Sequence, residues 1–252
     1  MPQKISDFRK EEFLILYNQG LNDYEISKQM NISDSTIFRW RRSFNLPQQY
    51  NRHKIKSKLI VPTQKQLGIL CGILLGDASL QIHALTPYVS SEHGEKQKEY
   101  VYHLQNELSS LGTKVYKSFR EDKRFGIWRN SYILRVKSNL YYNKWRDTLF
   151  KDDKKIITSE FLQDFSYVSL AYMYMDDGYF HQDSYYICTD CFDYESLTTF
   201  VKHVKDNLNF NFSIIKHEDK FRLRLSQYDI KRFNDLVGVY IINSLKYKLT
   251  VS

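Results

Sequence analysis

Two stretches of the sequence decide the fold: Leu70-Cys-Gly-Ile-Leu-Leu-Gly-Asp-Ala78 and Leu170-Ala-Tyr-Met-Tyr-Met-Asp-Asp-Gly178. Each is an apolar segment that ends in an acid followed by a small residue. The two acids, Asp77 and Asp177, stand 100 positions apart. Such an internal repeat predicts two copies of one structural unit.

The same order of elements follows each stretch. After the first, the patterns predict strands over Ser79–His83 and Tyr88–Ser91, a helix over Glu95–Leu111, strands over Val115–Arg120 and Tyr132–Lys137, and a helix over Leu140–Phe150. After the second, they predict strands over Tyr179–His181 and Tyr185–Thr189, a helix over Tyr194–Leu208, strands over Phe212–Lys216 and Phe221–Leu225, and a helix over Tyr228–Tyr240. The sequence therefore predicts an α+β fold of two pseudo-symmetric αββαββα repeats, over residues 59–158 and 159–252.

Both apolar helices carry small residues that allow two backbones to approach closely: Cys71, Gly72, Gly76 and Ala171. We expect the two helices to pack about a pseudo-twofold axis, so that Asp77 and Asp177 emerge side by side. An acid at a helix C-terminus opposes the helix dipole, and two close carboxylates repel unless a cation lies between them. The pair therefore predicts a site for Mg²⁺ or Mn²⁺, a hard cation that prefers oxygen ligands. The alternative interpretation is that Asp77 and Asp177 are only exposed residues at helix ends. That interpretation does not explain why they occupy equivalent positions in two repeats.

The first 46 residues predict a separate all-α module, with helices over Asp7–Asn18, over Tyr24–Met30 after an N-cap at Asp23, and over Asp34–Ser43 after an N-cap at Ser33. This pattern resembles a helix-turn-helix, whose third helix enters the major groove of DNA. Ile37 and Trp40 would face the core of the module. The other positions are predicted to contact DNA: Ser35, Thr36, Arg39, Arg41 and Arg42. A plain three-helix bundle with a solvated basic face is the alternative interpretation.

Charge points to a polyanionic partner. The 252 residues include 37 basic and 29 acidic ones, which gives a net charge of +8. Residues 1–60 contain 11 of the basic and 6 of the acidic residues, and residues 47–58 form a polar, basic, aperiodic segment. We interpret residues 47–58 as a linker that could follow a phosphate backbone. This concentration favours DNA as the partner, although a basic pI can also reflect solubility alone.

The cysteines and the hydropathy pattern indicate the cell compartment in which the protein is expected. Three cysteines, Cys71, Cys188 and Cys191, argue for a reducing compartment and against a disulfide framework. Cys188 and Cys191 form a C-x-x-C, but no second pair stands at the spacing of a zinc site, so free thiols are expected. The sequence has neither an apolar signal segment nor an apolar run of membrane-spanning length. We therefore expect a soluble intracellular protein without a membrane partner, in a prokaryotic cell, a phage host or an organelle.

The two motifs resemble those of single-chain LAGLIDADG homing endonucleases, over about residues 66–250. The resemblance is strongest to the monomeric type that yeast mitochondrial introns encode. Lys154-Lys155 and the segment Leu245-Lys-Tyr-Lys-Leu249 also look similar. The chain departs from the family pattern where Leu75 and Met175 replace an earlier acid and Tyr172 replaces a glycine. These departures leave the two motif acids in place.

The resemblance implies a monomeric endonuclease that cuts both strands of DNA across the minor groove, depends on Mg²⁺ or Mn²⁺, and leaves short 3′ overhangs. It implies that Asp77 and Asp177 are catalytic and hold the metal. Asp176, which aligns with a small residue, is expected to be a neighbour whose backbone carbonyl, like that of Gly76, could assist in metal binding. Two lysines match basic residues near the active sites of the family: Lys155 and Lys248. Ordinary surface lysines are the alternative interpretation for both.

Strands would supply the surface that contacts DNA. Because side chains alternate across a strand, Arg135 and Lys137 share one face, and so do Arg222 and Arg224. The opposite faces, which would pack against the helices, carry four apolar residues: Leu134, Val136, Leu223 and Leu225. Three weaker candidates for the DNA surface are Gln81, His83 and Lys117, and a solvated edge is the alternative for each.

Three other functions remain open. A regulator with this fold and a helix-turn-helix would bind DNA without cutting it, although such proteins usually carry the helix-turn-helix after the repeats. A maturase would bind the RNA of its own intron, with or without cleavage of DNA. A repressor with an unrelated C-terminal domain leaves the repeat unexplained.

Overall fold

The structure, a computed structural model, describes residues 7–47, 59–82, 86–122, 126–152 and 154–249. The chain divides into two compact units, Met1–Lys56 and Ser57–Ser252, each with its own hydrophobic core. Most of the predicted linker, residues 48–58, lies outside the described residues.

The first unit contains three helices in its described part: α1 (Asp7–Asn18), α2 (Asp23–Met30) and α3 (Asp34–Ser43). Its core is built from apolar residues at helical spacing: Phe13, Leu16, Tyr17, Ile26, Met30, Ile37 and Trp40. The ring of Phe13 meets the edge of Trp40 at a centroid distance of 5.9 Å. Ile37 and Trp40 therefore face inward, as the sequence predicts.

The predicted cap of α2 is wrong by one residue. Asn22 caps the helix, since its side chain accepts a hydrogen bond from the backbone N–H of Glu25 at 2.9 Å. The Glu25 carboxylate in turn accepts from the backbone N–H of Asn22 at 3.2 Å. This reciprocal pair satisfies two N–H groups that the first turn would otherwise leave open. Asp23 is free to bond elsewhere, and it pairs with Arg41.

The second unit begins with the first repeat, whose elements follow the predicted order. They are α4 (Gln64–Leu75), β1 (Ser79–Leu80), β2 (Val89–Gly94), α5 (Lys98–Glu107), β3 (Lys114–Asp122), β4 (Ile127–Val136) and α6 (Lys144–Leu149). The strands form one antiparallel sheet in the order β1-β2-β4-β3. The predicted helices are shorter in the structure because single turns of 3₁₀-helix, at Glu95–Gln97, Ser109–Leu111 and Leu140–Asn143, take up their ends.

A short connection leads to the second repeat. It contains the hairpin of β5 (Phe150–Lys151) and β6 (Lys154–Lys155), followed by α7 (Ser159–Leu162). The second repeat then has α8 (Tyr167–Asp177), β7 (Gly178–His181), β8 (Ser184–Cys188), α9 (Tyr194–Leu208), β9 (Phe212–His217), β10 (Lys220–Leu225) and α10 (Ile230–Leu236). Its sheet has the order β7-β8-β10-β9, which is the order of the first sheet. The prediction of a duplicated αββαββα unit is confirmed.

The two motif helices, α4 and α8, pack directly against each other at the centre of the second unit. A Cβ atom on Gly72 would lie 2.4 Å from the backbone carbonyl oxygen of Ser169 and 2.7 Å from Cβ of Tyr172. No larger residue fits there, so the close approach expected from the small residues of the motif is confirmed. Nearly every residue of both helices is buried, which explains why neither helix is amphipathic.

Within the described residues, no helix is both long enough and apolar enough to cross a membrane.

Candidate functional site

The ends of α4 and α8 place the two motif acids differently. Asp177 is the last residue of α8, whereas Asp77 lies in a turn just beyond α4. The Asp77 side chain is 41% exposed. Asp177 is half-buried, and its carboxylate lies close enough to Asp77 for the negative charge of Asp77 to raise its pKa. The two equivalent positions of the sequence repeat are therefore brought together, but in unequal surroundings.

Asp176 fills the space that Gly76 leaves open in the other helix. A Cβ atom on Gly76 would lie 2.4 Å from Oδ2 of Asp176. That oxygen accepts a hydrogen bond from the backbone N–H of Asp77 at 3.1 Å. The Asp176 side chain thus bonds the turn that carries Asp77, a contact that reaches from one repeat into the other.

Burial controls the protonation of two of these acids. The pKa of Asp177 is raised to about 7, first by burial and then by the charge of Asp77, while Lys248 and Lys155 act in the opposite direction. The pKa of Asp176 is raised well above its ordinary value, mainly by burial and further by Asp77. Asp176 and Asp177 therefore hold protons more tightly than exposed acids do, and a cation bound beside them could replace those protons.

Each motif turn is bonded by one lysine. Nζ of Lys155 donates to the carbonyl oxygens of Ala78 at 3.0 Å and Gly76 at 3.5 Å. Nζ of Lys248 donates to the carbonyl oxygens of Met175 at 2.6 Å and Asp176 at 3.0 Å. Neither lysine is an ordinary surface residue, and burial lowers the pKa of both.

This arrangement bears on the carbonyl groups that the sequence predicted as metal contacts. The carbonyl oxygens of Gly76 and Asp176 both accept hydrogen bonds from lysine ammonium groups. A cation bound directly to either oxygen would lie beside a positive charge. The two carboxylates, rather than these carbonyls, are therefore the groups best placed to hold a cation.

His93, at the end of β2, is a site residue that sequence reasoning missed. Its ring is buried, with Nδ1 3.6 Å from Oδ2 of Asp77 and 3.2 Å from Oε1 of Gln97. Burial lowers its pKa, although the charge of Asp77 opposes that shift. The strand was predicted to end at Ser91, three residues too early. Continued alternation from Val89 through Ser91 would have placed His93 on the inward face.

Comparison with known proteins identifies the family of this chain. Residues 67–233 match the family model described as the LAGLIDADG DNA endonuclease family. The chain belongs to this family. Residues 5–49 match the model of the homeodomain-like domain, in agreement with the predicted helix-turn-helix.

Three similar proteins differ from this chain at most of their aligned positions. The probable intron-encoded DNA endonuclease 3 of Mycosarcoma maydis is 26% identical over 98 residues, which are 38% of this chain and 72% of that protein. The homing endonuclease I-WcaI, solved bound to its DNA recognition sequence, is 21% identical with a TM-score of 0.70, over 84% of this chain and 98% of that chain. I-DmoI, solved in complex with DNA and Mn, is 14% identical with a TM-score of 0.45, over 69% of this chain and 96% of that chain. The likeness to I-WcaI shows that the fold is the LAGLIDADG homing endonuclease fold.

In this LAGLIDADG protein, the first sheet turns a basic and aromatic face away from the helices. Arg135 is exposed, and its guanidinium lies over the rings of Tyr88 and Tyr116 at 5.1 and 5.5 Å. A cavity of about 530 Å³ borders this face, and Lys114 and Lys137 are among its lining residues. Lys114, which pairs with Arg135 in the sheet, was not predicted.

The second sheet presents the corresponding face through β10. Arg222 and Arg224 lie on the side opposite the buried Leu223 and Leu225, as predicted. The Arg222 guanidinium donates to the hydroxyl of Tyr179 at 3.2 Å, and that of Arg224 lies 5.8 Å from the ring centre of Tyr186. Aromatic side chains thus contact the arginines of both sheets and restrict their motion, which lowers the entropy cost of binding a ligand.

Strand register corrects one weaker candidate. Lys117 pairs with Tyr132, which packs on the helical side, so Lys117 lies on the sheet face opposite to Arg135. Gln81 follows Ser79 on the face of Arg135, and its amide donates to the Ser79 hydroxyl at 2.8 Å. His83 lies outside the described residues.

The third helix also needs one correction. Arg41 is buried, and its Nε lies 2.9 Å from both carboxylate oxygens of Asp23. A second nitrogen donates to the carbonyl oxygen of Leu46 at 3.2 Å. Arg41 therefore holds the module together and is not available to DNA. The remaining predicted contacts are exposed or half-buried on α3: Ser35, Thr36, Arg39 and Arg42.

The cysteines occupy three different environments. Cys71 is buried in α4, Cys188 is half-buried, and Cys191 is exposed, and all three are free thiols.

Proposed function

We propose that this protein is a site-specific DNA endonuclease that cuts both strands, with one active site built on each motif. The observation that carries the proposal is the meeting of Asp77 and Asp177 at the ends of two packed helices, each turn bonded by one lysine. A half-buried acid with a raised pKa beside a second carboxylate is a costly arrangement for stability, and such groups cluster at functional sites. The single-chain state, a monomer, and the likeness to the yeast mitochondrial intron type stay predictions.

We further propose that Mg²⁺ or Mn²⁺ binds between the motif acids. The residues fit such a cation, because the carboxylates offer hard oxygen ligands and the mutual repulsion that raises the pKa of Asp177 would disappear in its presence. When bound, a divalent cation lowers the pKa of a water molecule and stabilises charge on a phosphate.

The chain's own groups would do the rest. Lys155 and Lys248, one at each motif turn, would donate hydrogen bonds to a phosphate that enters beside the turn. Because burial lowers the pKa of both lysines, they would also exchange protons more readily than exposed lysines do. Cleavage at two sites on opposite strands would leave short 3′ overhangs, as the family resemblance implies.

The two basic and aromatic sheet faces would bind the DNA duplex. Arg135 and Lys137 on one sheet and Arg222 and Arg224 on the other would contact phosphates or base edges. The homeodomain-like module would extend the contact through the exposed residues of α3. I-WcaI, which has the same fold, is bound to its DNA recognition sequence.

Cleavage of DNA that joins the two flanks of the gene's own insertion point tests the proposal. With Mg²⁺ the protein should convert this DNA to two fragments with 3′ overhangs, and with EDTA it should bind the DNA without cutting. Asp77→Asn and Asp177→Asn should each abolish double-strand cleavage and retain binding. Asp219→Asn, in the exposed turn between β9 and β10, is the matched control and should cut as the wild type does.

Two results would redirect the proposal. Specific binding to this DNA without metal-dependent cutting would favour a transcription regulator. Binding to the intron RNA in preference to this DNA would favour a maturase. Retained cleavage in either motif variant would remove the role assigned to that acid.

A further inference from the structure

The turn that carries Asp77 lies outside its helix and depends on a side chain for support. At Gly76 the backbone leaves the helical conformation, with φ −95° and ψ −132°. The N–H groups of Gly76 and Ala78, on either side of Asp77, still donate to carbonyl oxygens of α4, at 3.1 and 2.8 Å. The N–H of Asp77 donates instead to Oδ2 of Asp176, at 3.1 Å. The backbone of the first motif acid is therefore held by a carboxylate of the other repeat.

Tyr100, on α5, supports that carboxylate in turn. The side chain is fully buried, and its ring meets the rings of His93 and Tyr172 at centroid distances of 5.4 and 6.4 Å. Its hydroxyl is directed at the Asp176 carboxylate, where it favours the charged form of the acid, as a hydrogen-bond donor does. Neither this hydroxyl nor Oδ1 of Asp176 has a hydrogen bond of ordinary geometry to any other described group. Burial and then the charge of Asp176 raise the pKa of Tyr100, so the hydroxyl keeps its proton and stays a donor.

This pair of hydroxyl and carboxylate occurs at one of two symmetry-related places. At the 100-residue offset of the motifs, Asp176 corresponds to Gly76, and Tyr100 corresponds to Phe200. Phe200 is fully buried on α9, as Tyr100 is on α5, but it carries no hydroxyl. Asp177 is itself the last residue of α8, so its backbone does not depend on a side chain of the other repeat. The supporting pair is thus present for the acid that has left its helix and absent for the acid that has not.

We propose that Tyr100 is a positioning residue for the first motif acid and that it acts through Asp176. The hydroxyl fixes the rotation of the Asp176 carboxylate, the carboxylate fixes the N–H of Asp77, and the turn then presents the Asp77 side chain to the site. This role rests on the proposed cleavage and concerns the strand that is cut at the first motif. Lys155 holds the same turn through its carbonyl oxygens, so Tyr100 and Lys155 act on the same strand.

Strand-resolved cleavage is the first test. DNA that joins the two flanks of the gene's insertion point is labelled on each strand in turn. It is cut with Mg²⁺ by an excess of the full-length protein, so that the rate reports the bound complex. Tyr100→Phe should slow the strand that Lys155→Met slows by at least about tenfold, since a displacement of about 1 Å in an active site can cost about a hundredfold. The cutting of the other strand and the affinity for DNA should stay within about twofold of the wild type.

Tyr142→Phe is the matched control for this substitution. It removes the hydroxyl of another fully buried tyrosine, which stacks on Trp145 at a centroid distance of 5.4 Å. Both strands should be cut by this variant at the wild-type rate. If Tyr100→Phe slows both strands equally or slows neither, or if Tyr142→Phe has the same effect, Tyr100 contributes only to stability and the proposal is wrong.

Asp176→Ala tests the route through the carboxylate. This variant should slow the same strand as Tyr100→Phe. Addition of Tyr100→Phe to it should slow that strand by less than about twofold more, because the hydroxyl then has no carboxylate to orient. Two effects that multiply would show that Tyr100 does not act through Asp176, and they would overturn the proposal.

Hydrogen exchange at the Asp77 amide tests the positioning without any cutting. Nuclear magnetic resonance of the full-length protein without DNA should find this amide protected. Tyr100→Phe should make it exchange at least about tenfold faster, whereas Tyr142→Phe should leave its exchange unchanged. Equal protection in the wild type and in Tyr100→Phe would overturn the proposal. If the protein cuts no DNA but the Asp77 amide responds as described, the nuclease proposal fails and the positioning of Asp77 by Tyr100 stands.

Discussion

Substitution of Gly76 by alanine probes the contact that joins the two repeats. The added Cβ atom would lie 2.4 Å from Oδ2 and 2.6 Å from Cβ of Asp176. Neither the backbone of α4 nor the buried Asp176 can move freely, so the carboxylate would be displaced from the backbone N–H of Asp77. The change therefore combines steric overlap with the loss of a buried hydrogen bond.

The magnitude follows from these two terms. Overpacking of a well-packed site costs about 1 to 3 kcal/mol, and the unsatisfied hydrogen bond costs about 1 to 3 kcal/mol. We expect Gly76→Ala to lower the free energy of unfolding by about 3 kcal/mol. For a unit of this size, 1 kcal/mol shifts the melting temperature by about 2 to 4 °C, so the melting temperature should fall by about 6 to 12 °C.

The measurement is thermal and urea unfolding of the full-length chain, followed through the transition of the second unit. Gly94→Ala is the matched control, because a Cβ atom there meets nothing within 4 Å and the backbone is extended. Its stability should stay within about 0.5 kcal/mol of the wild type. The double variant Gly76→Ala/Asp176→Ala should lose less free energy of unfolding than the two single variants lose together. We expect the difference to be about 1 to 3 kcal/mol.

Two results would refute the reasoning. If Gly76→Ala unfolds at the same temperature as Gly94→Ala, the close approach of Asp176 to Gly76 does not exist in solution. If the effects of the two single substitutions simply add, the two residues are not in contact.

Three other expectations concern the module, the lysines and the motif acid. Arg41→Met should destabilise the first unit by about 1 to 3 kcal/mol, because it removes the partner of the half-buried Asp23 carboxylate. Arg39→Met should leave melting unchanged and weaken binding to DNA in gel-shift measurements. Equal melting of the two variants would contradict this. Lys155→Met and Lys248→Met should each slow the cutting of a different strand by about 10²- to 10³-fold, so end-labelled DNA should accumulate nicks in opposite strands. The pKa of Asp177 is raised to about 7, so its proton competes with a cation below that pH. Calorimetry should therefore find that Mg²⁺ affinity falls about tenfold per pH unit below about pH 7 and levels off above about pH 8; an equal slope in Asp177→Asn would contradict this.

Part of what was missed had a local signal in the sequence. Arg41 lies four residues after the buried Ile37, so it shares the inward face of α3, and its charge concealed that position. Asn22 stands three residues before Glu25, which is the spacing of a reciprocal cap, whereas Asp23 has no such partner. His93 continues the alternation of β2 beyond the predicted end. In these three cases the spacing of residues along the helix or strand indicates the correct position, whereas residue type alone does not.

Lys117 had no local signal of this kind. Alternation within β3 separates its residues into two faces, but it does not say which face packs against helices. The pairing of Lys117 with Tyr132 decides this, and pairing depends on the neighbouring strand.

The sequence by itself determined the duplicated order of helices and strands, the separate N-terminal helices, and the two equivalent acids at Asp77 and Asp177. Periodicity, capping residues and an internal repeat are local properties, so they can be read without knowledge of the packing. Only the tertiary structure decided that Asp176 fills the space beside Gly76, that lysines bond both motif turns, and that His93 faces Asp77. These contacts join residues far apart in the chain, and they depend on the close approach of α4 to α8 and on strand pairing. The sequence repeat therefore predicts the symmetry of the site, whereas the packing of side chains determines its asymmetry.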